Sequence, residues 1–301
     1  MRLTRKQVLS FLPKRPLRSH KGTFGRVLVI AGSEKMAGAG VLCTRAILQT
    51  GAGLAALALP KSRQSTAAAA LPEMLTLPLA EKDGVLSVRA VKQVQQFIKD
   101  FKPSLILIGP GLAQAPFLLP FLEKNTLPAV VDADALNALA RSRMGIQKIC
   151  GRFPLICTPH PGEMQRLLGQ KISADDNKRP LYAKELSART GGVSVLKGYH
   201  TVVTDGEKVY VNTTGGPALA KAGSGDTLAG FIAGLWAQLG TAAGFNNASA
   251  LKAAACGVYL HGLCGDLAAA QLTPRCVLAS DVAAQLPRAF KRLERAAGTA
   301  S

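Results

Sequence analysis

The sequence predicts an α/β protein in which a mainly parallel sheet is covered by helices on both faces. Short, largely apolar segments such as 26–32 (RVLVIAG) and 105–108 (LILI) alternate with longer segments of helical character. Strands that are apolar on both sides are typical of a parallel sheet buried between two helical layers. No linker interrupts this alternation. We therefore expect a single domain spanning residues 1–301, in which residues 1–24 form a basic N-terminal arm.

Each predicted strand is a short apolar run bounded by Gly, Pro or polar residues. The predicted strands are 26–32, 54–59, 105–108, 129–132, 155–158 and 193–197, with a further extended piece at 74–79. Residues 201–211 (TVVTDGEKVYV) alternate apolar and polar side chains around an Asp205-Gly206 turn. This pattern predicts a β-hairpin that follows the last parallel strand.

The predicted helices lie between these strands, and the chain after Asp226 is expected to be helical throughout. The helical segments are 38–50, 62–70 with Ser62 or Ser65 as N-cap, 87–99, 116–123, 135–140, 163–168, and one that precedes residue 193. Residues 227–251 are apolar enough to raise the question of a membrane span, which needs about 20 apolar residues. Because Gln238, Asn246 and Asn247 interrupt the run, two buried helices joined by a turn near 240–245 fit better.

The charge balance indicates an anionic partner. There are 37 Lys and Arg against 18 Asp and Glu, which gives a formal net charge of +19. Nucleic acid, a membrane surface and phosphate-rich small molecules would all fit such a charge. Aromatic residues make up only 5% of the chain and are not interleaved with the basic ones. This composition argues against a stacking platform for single-stranded nucleic acid.

The cysteines, the histidines and the N-terminus argue against a zinc protein, a disulfide-rich protein and a secreted protein. Six cysteines form no C-x-x-C pair and the four histidines are scattered, so neither a zinc site nor a disulfide framework is predicted. Reduced cysteines in a cytoplasmic protein are the simplest interpretation. The N-terminus lacks the apolar segment of a secretory signal. We expect the basic arm to be solvated or to face phosphate groups.

In a parallel sheet, ligands bind at the carboxyl ends of the strands, where two glycine-rich loops are predicted. Loop 31–40 (AGSEKMAGAG) follows the first strand and opens a helix, and loop 109–112 (GPGL) follows another strand. Backbone that is free of side chains can approach a phosphate or nucleotide closely. Each loop alone is a weak signal, and glycine in a strand–helix turn such as 31–40 more often reflects ordinary turn chemistry. The G-x-G-x-x-G fingerprint of a Rossmann domain is absent.

Polar side chains follow two other predicted strands. Asp132 and Asp134 end one strand, and His160 and Glu163 end the next. Asp134 is consistent with a helix N-cap, and Glu163 with an acid that complements a helix N-terminus. The same carboxylates could instead hold the waters of a Mg²⁺ ion, which keeps most of its hydration. His160 lies between two prolines in a stiff loop, where a ligand contact is the better interpretation.

The most informative motif is KAGSGD at residues 221–226. Gly223, Ser224 and Gly225 precede a long apolar helix, so their backbone N–H groups can form an anion hole. A bound phosphate would repel Asp226, which makes sense if this carboxylate is a base that takes a proton from a hydroxyl during phosphoryl transfer. The alternative is that Asp226 simply caps the helix. Lys197, at the end of a predicted strand and followed by Gly198, is placed to meet a phosphate.

Taken together, these stretches resemble the NAD(P)H-hydrate dehydratases, carbohydrate-kinase-like members of the ribokinase-like superfamily. The stretches that carry the resemblance are HKGTFGRVLVIAGSEKMAGAG, GPGL, VVDADALNAL, TPHPGE, LKGYHTVV and GGPALAKAGSGDTLAG, in this order along the chain. The resemblance implies a ribokinase-like fold. It also implies a repair reaction on (6S)-NADHX or NADPHX, the forms of NADH and NADPH whose nicotinamide ring is hydrated. The hydroxyl is phosphorylated by ADP, and phosphate then leaves to restore the double bond.

The resemblance also implies roles for individual residues. The expected contacts with the hydrated dinucleotide are Ala39, Gly111, His160 and the catalytic Asp226. The expected contacts with the adenine nucleotide are Lys197, Gly198, Tyr199, His200, Thr201 and Gly225. Glu163 matches the acid that is linked to Mg²⁺. The chain departs from many members at Gly215-Gly216 and Ala222-Gly223, but both changes keep the residues small.

The resemblance further implies a cytoplasmic homotetramer that acts on small molecules, without nucleic acid or membrane as partner. The epimerase domain fused to some bacterial members is expected to be absent from the 301 residues. Two alternatives remain at this point. A ribokinase-like kinase of a vitamin-precursor alcohol would share GSGD but should lack TPHPGE together with LKGYHTVV. A non-enzymatic nucleic-acid binder would explain the charge and should show salt-dependent binding without nucleotide turnover.

Overall fold

A central sheet of nine strands organises the protein, as seen in a computed structural model that describes residues 1–173 and 175–295. The central strands are β1 Arg26–Ile30, β2 Leu54–Pro60, β3 Leu75–Leu79, β6 Leu105–Ile108, β7 Ala129–Val131, β8 Leu155–Cys157, β9 Val193–Leu196, β10 Val202–Thr204 and β11 Val209–Val211. Two further strands, β4 Glu81–Lys82 and β5 Val85–Leu86, pair only with each other in a small hairpin.

Helices connect most of these strands. They are α1 Arg5–Phe11, α2 Ala37–Gln49, α3 Gln64–Ala70, α4 Ala90–Phe101, α5 Leu118–Leu122, α6 Ala133–Ala140, α7 Ile146–Cys150, α8 Pro161–Leu168, α9 Arg179–Thr190, α10 Ser224–Ala243, α11 Asn247–Leu272, α12 Ala279–Ala284 and α13 Leu286–Arg295. The chain after Asp226 is helical apart from short connections, as predicted for the residues that the structure describes; residues 296–301 lie outside them.

The strand order is β11-β10-β9-β8-β7-β6-β1-β2-β3. All neighbours from β3 to β9 pair in parallel, and β10 and β11 extend the sheet as the predicted antiparallel hairpin. The chain proceeds outward from β1 to β3, and β6 then returns to the other side of β1. The carboxyl ends of β1 and β6 therefore flank the point where the strand order reverses, which is where α/β sheets bind ligands.

The side chains of β1 show how the sheet separates two cores. Val27 and Val29 point into one hydrophobic cluster, which is completed by α1–α3 and α10–α13. Leu28 and Ile30 point into the other cluster, which is completed by α4–α9. This alternation follows from the two-residue period of a strand. The predicted arrangement of three layers, α/β/α, is confirmed.

The two longest helices, α10 and α11, pack against each other in the first cluster and are joined by a turn at residues 244–246. This confirms the predicted pair of buried helices. Within the described residues, α11 is the one helix with the length and mean hydropathy (1.2) of a membrane span. Because 72% of that apolar window is already buried inside the protein, α11 is accounted for as a core helix.

Two helix starts were predicted wrongly. Helix α3 begins at Gln64 after a 3-10 turn, so neither Ser62 nor Ser65 is its N-cap. The backbone N–H and the hydroxyl of Ser62 instead donate to the carboxylate of Glu81, at 2.8 and 3.0 Å. Helix α4 begins at Ala90 rather than at residue 87, because the preceding residues form a turn. The hairpin β4–β5 and helix α7 were missed, since such short elements carry little periodicity.

Two parts of the basic N-terminal arm differ: residues 14–21 are exposed, whereas Leu3 and Val8 are buried. Leu3 is 3% exposed and donates its backbone N–H to the Val211 carbonyl at 2.9 Å, and Val8 of α1 is fully buried. The guanidinium of Arg5 donates to the Arg292 carbonyl at 2.6 Å. The start of the arm therefore packs against β11 and α13.

Candidate active site

The two glycine-rich loops meet at the reversal point of the sheet. The backbone N–H of Gly32, after β1, donates to the Pro110 carbonyl, after β6, at 2.8 Å. Gly111 has a positive φ of 66°, and a Cβ there would lie 2.9 Å from the Cβ of Ala39. A side chain at residue 111 would therefore collide with the other loop. The structure brings together Ala39 and Gly111, two residues for which the family resemblance implies contact with one ligand.

An ionic cluster lies beside these loops, at the ends of β7, β8 and β9. The Lys197 ammonium is 2.6 Å from Oδ1 of Asp132 and 3.9 Å from Oε2 of Glu163. Asp132 is 1% exposed and Glu163 is 4% exposed. Burial acts to lower the pKa of Lys197, but the two carboxylates outweigh it and raise that pKa overall. The lysine therefore stays charged at the edge of the sheet.

Tight backbone contacts fix the position of Asp132. Gly109 has a φ of 127°, and a Cβ there would lie 1.8 Å from the Asp132 carbonyl oxygen. The next residue, Ala133, has a φ of 51°, which is uncommon for a residue with a side chain. Asp134 is not the N-cap of α6, because Asp132 occupies that position without a side-chain cap bond. Asp134 instead accepts the backbone N–H of Ala113 at 2.8 Å, which ties α6 to the loop after β6.

The N-terminus of α10 is open. Its N-cap is Gly223, with a φ of 81° and no side-chain cap. Ser224 donates its N–H to the Lys221 carbonyl and Thr227 donates to Gly223. The N–H groups of Gly225 and Asp226 have no hydrogen-bond partner among the residues that the structure describes. Such N–H groups at the positive end of a 20-residue helix are available to bind an anion, which is the property expected of the GSGD sequence.

The lysine and the hole face the same space. A Cβ placed on Gly225 would lie 3.5 Å from the Lys197 ammonium. Gly225 and Lys197 were both predicted to lie along the nucleotide, although they are distant in the chain. Their proximity provides an ammonium group and backbone N–H groups for one anion. This combination suits a phosphoryl group during its transfer.

Asp226 has the properties of a base. Burial, and then the negative charge of Asp132, raise its pKa from 3.8 to about 6, although Lys197 acts in the opposite direction. Its side chain makes no hydrogen bond within the described residues, and Gly223 rather than Asp226 is the N-cap. The alternative that Asp226 is a helix cap is therefore wrong. A carboxylate with a pKa near neutrality can accept and release a proton under ordinary conditions.

His160 caps α8 and remains half exposed. Its Nδ1 accepts the backbone N–H of Gly162 at 3.0 Å, and Glu163 accepts the backbone N–H of His160 at 2.8 Å. This reciprocal arrangement is a capping box. Burial, and then the charge of Lys197, lower the pKa of His160. The imidazole is therefore neutral at pH 7, with one face open at the sheet's ligand-binding edge.

The loop 197–201 is held by a residue that the sequence analysis missed. Arg179 donates to the carbonyls of Leu196 at 3.0 Å and Lys197 at 3.1 Å. Within the loop, Thr201 donates its hydroxyl to the Gly198 carbonyl at 3.0 Å. The rings of Tyr199 and His200 in this loop are tilted by 32° with their centroids 3.8 Å apart, and Tyr199 is 71% exposed. Arg179 follows a polar stretch of sequence and carries no local signal of this role.

Two buried residues behind the hole were also missed. The Cys43 thiol donates to the Asp226 carbonyl at 3.3 Å. Nε2 of His261, on α11, lies 3.4 Å from the Ser224 hydroxyl, and burial lowers the pKa of His261 to about 4. Both residues lie on helices far from the GSGD motif in the chain. Their sequence surroundings are ordinary for a helical core, so only the tertiary structure shows these contacts.

A magnesium site is less defined than the anion hole. Among the described residues, no group of three or more His, Cys, Asp and Glu side chains could hold a metal ion. Glu163, the predicted metal-linked acid, is engaged in the capping box and lies near Lys197. This residue is 4% exposed, and the structure by itself does not define Glu163 as a metal ligand.

Several known proteins are similar to this chain in sequence and in fold. The sequence profile of the NAD(P)H-hydrate dehydratase family matches residues 27–288. The bifunctional NAD(P)H-hydrate repair enzyme Nnr of Moorella thermoacetica is 41% identical over 95% of this chain, and the chain spans 53% of that relative's length. The ADP-dependent (S)-NAD(P)H-hydrate dehydratase of Bacillus subtilis is 33% identical over 97% of this chain and 98% of its own.

A solved structure extends the comparison. The ADP/ATP-dependent NAD(P)H-hydrate dehydratase of Bacillus subtilis, co-crystallised with ATP and Mg²⁺, matches with a TM-score of 0.80 and 31% identity. The match covers 97% of this chain and 98% of that one. It confirms the predicted ribokinase-like fold. The chain spans about half the length of the bifunctional relatives and nearly the full length of the single-function one.

Proposed function

The chain belongs to the NAD(P)H-hydrate dehydratase family, and we propose that it dehydrates (6S)-NADHX and NADPHX in an ADP-dependent reaction. The products are NADH or NADPH, AMP and orthophosphate. The observation that supports this proposal is the open N-terminus of α10. There, two N–H groups without a partner in the described part of the chain adjoin a carboxylate whose pKa is about 6. An anion hole beside a base is the arrangement that phosphorylation of a hydroxyl requires.

In the first step, the Asp226 carboxylate takes the proton of the substrate hydroxyl. The hydroxyl oxygen bonds to the terminal phosphorus of ADP as the bond to the AMP oxygen breaks. The N–H groups of Gly225 and Asp226, with the Lys197 ammonium, stabilise the charge on the transferred group. Free N–H groups and a fixed lysine need little reorganisation for this step.

In the second step, the ring nitrogen supplies an electron pair that expels phosphate, and loss of a proton from the adjacent carbon restores the double bond. Ala39, Gly111 and His160 are the residues proposed to hold the hydrated dinucleotide during both steps. The half-exposed imidazole of His160 contributes a polar contact, and the glycine-rich loops contribute close backbone approach. The loop 197–201 (Lys197, Gly198, Tyr199, His200 and Thr201) is proposed to contact the adenine nucleotide.

Magnesium is proposed to accompany the nucleotide. The carboxylate of Glu163 suits a hydrated Mg²⁺ that is held mainly by phosphate oxygens. When bound, the ion neutralises phosphate charge and so assists the transfer. Each protein residue keeps the role given above, with Lys197 beside the hole and Asp226 as the base.

The direct test uses hydrated NADH with ADP and Mg²⁺. We expect the near-ultraviolet absorbance of NADH to appear together with AMP and orthophosphate in equal amounts. If the protein is instead a small-molecule kinase, hydrated NADH should yield no NADH. A vitamin-precursor alcohol should then give a phosphorylated product that accumulates, because that product lacks the ring nitrogen that expels phosphate. Recovery of NADH without any nucleotide would contradict the proposal. Parallel reactions with ATP and with hydrated NADPH measure the preference for each nucleotide and substrate.

The assembly and location are also proposals. The resemblance to the family supports a cytoplasmic homotetramer without nucleic acid or membrane partners. The net charge of +19 fits two polyanionic substrates. Light scattering of the purified protein measures the oligomeric state. Retention on DNA at physiological salt would contradict the absence of a nucleic-acid partner.

A further inference from the structure

Asp132 is the most fully buried charged residue of the site, yet the proposed reaction assigns it no step. It is 1% exposed, and its Oδ1 lies 2.6 Å from the Lys197 ammonium. The backbone around it is unusually constrained. Gly109 allows the end of β6 to approach the Asp132 carbonyl, and Ala133 adopts a positive φ of 51°. Such local strain persists only where the surrounding structure imposes it, and it concentrates at functional sites.

Several ordinary roles do not account for Asp132. It stands at the N-cap position of α6 but makes no cap bond. Its carboxylate is directed to Lys197 rather than to open space, so it is poorly placed to take a proton from a substrate. No cluster of metal-binding residues surrounds it within the described part of the chain. What the carboxylate does contact is the lysine that faces Gly225.

The lysine needs such a partner for two reasons. Its side chain is only 17% exposed, and a buried ammonium without a counter-charge loses its proton readily. The lysine stem is also flexible, with many rotamers that would point elsewhere. A fixed carboxylate 2.6 Å away removes both problems. Glu163, at 3.9 Å, is too distant to hold the ammonium by a hydrogen bond.

We propose that Asp132 is a positioning residue that holds the Lys197 ammonium over the anion hole at Gly225, so that the lysine meets the transferred phosphoryl group. The inference rests on the proposed function, because it assigns Lys197 to the step in which the phosphoryl group is transferred to the substrate hydroxyl. Asp132 acts through Lys197 and touches neither substrate nor nucleotide.

A double-mutant cycle tests this dependence. In the parent protein, Asp132→Asn should lower kcat with hydrated NADH and ADP by about 10–100-fold, the loss typical for residues that orient a ligand-binding group. In a Lys197→Met background, the same Asp132→Asn change should leave kcat unchanged or raise it, because no ammonium remains to be held. Additive losses in the two backgrounds would overturn the proposal.

The cycle also distinguishes other roles. If Asp132 served a metal ion, Asp132→Asn would raise the Mg²⁺ concentration needed for half-maximal rate in both backgrounds, and this result would overturn the proposal. We expect that concentration to stay the same. If Asp132→Asn alone fails to fold because Lys197 is left buried and unpaired, the Asp132→Asn/Lys197→Met protein should fold. Its kcat should then equal that of Lys197→Met, and a further loss would again overturn the proposal.

The same measurements distinguish failure of the proposed function from failure of the role assigned to Asp132. In that case the parent protein would not convert hydrated NADH with ADP at all. A parent that turns over, combined with additive variants, would reject the role of Asp132 alone. Melting temperatures of all four proteins accompany the cycle, so that losses of kcat are compared only among folded proteins.

Discussion

Two helices begin at the ligand-binding edge, and their N-termini are built in opposite ways. Helix α8 is closed by its own side chains, since His160 accepts two backbone N–H groups and Glu163 returns a bond to His160. Helix α10 is open, with glycine at its N-cap and, within residues 1–173 and 175–295, no partner for the N–H groups of Gly225 and Asp226. A closed terminus gains stability from its cap, whereas an open one leaves that stabilisation to a ligand.

The charges follow the same division. At α8, the acid of the first turn is bonded to backbone, which is where an anionic side chain stabilises a helix. At α10, the acid of the first turn makes no hydrogen bond within the described residues, and burial raises its pKa to about 6. The bonded acid at α8 stabilises the folded protein, whereas the buried acid at α10 destabilises it. The comparison therefore predicts that substitutions at α10 affect turnover most, and that substitutions at α8 affect stability as well.

The largest effect is expected from Asp226→Asn. The amide is nearly isosteric but cannot take a proton, so turnover should fall by about 10²–10⁴-fold while nucleotide binding is retained. Initial rates and nucleotide titrations measure the two quantities. A variant that keeps near-parent turnover would remove Asp226 as the base.

The next largest effect is expected from Gly225→Ala. The added methyl group would lie 3.5 Å from the Lys197 ammonium, an ordinary contact, so folding should be unaffected or favoured by up to about 1 kcal/mol. The same methyl group narrows the anion hole, and kcat/KM for ADP should fall by about 10–100-fold. Chemical denaturation and steady-state rates measure both. Losses of stability and activity in parallel would show that the terminus is not reserved for a ligand.

The pH dependence of turnover and of stability should separate the role of Asp226 as a base from the stability that its buried charge costs the fold. The pKa of Asp226 is raised from 3.8 to about 6, so the folded state favours the protonated carboxyl. The associated stability is fully present below pH 3.8 and is lost as the pH rises through about 6. Turnover, which needs the carboxylate, should rise over the same interval. Asp226→Asn should therefore melt at a higher temperature than the parent above about pH 6, and this difference should vanish near pH 4.

The smallest effect is expected at α8. His160→Ala removes a cap and should cost about 1 kcal/mol of unfolding free energy, whereas His160→Asn keeps a side-chain acceptor and should cost less. Both changes remove the imidazole that is proposed to contact the hydrated dinucleotide, so both should raise the KM for that substrate. Equal stability of the two variants would show that the cap contributes nothing. An unchanged KM in both would remove His160 from the substrate site.

Most of the fold could be predicted from the sequence because its strands are fully buried. Apolar runs such as residues 105–108 and 129–132 stand out wherever a strand is covered on both faces. The packing of the first residues of the N-terminal arm was missed because the pairing of Leu3 with Val211 depends on a strand 208 residues further on. No local pattern reports such a distant partner.

The site was predictable where the chain itself carries the chemistry. Free N–H groups before a long helix can be inferred from GSGD alone, and the loops after β1 and β6 can be placed together from topology. The prediction for Lys197 was incomplete. We expected a strand-end lysine that faces only phosphate, but it is also the counter-charge of Asp132. Removing it should therefore destabilise the fold as well as raise the KM for the nucleotide.

The packing of the N-terminal arm constrains the order in which contacts can form while the chain is synthesised. Leu3 pairs with Val211, Cys256 donates to the Val8 carbonyl, and Arg5 donates to the carbonyls of Arg292 and Leu293. Residues 3–8 are thus synthesised well before the partners against which they pack. Contacts of such long sequence separation form late and slowly. During synthesis, the exposed Val8 face must remain free of wrong contacts until α11 and α13 arrive.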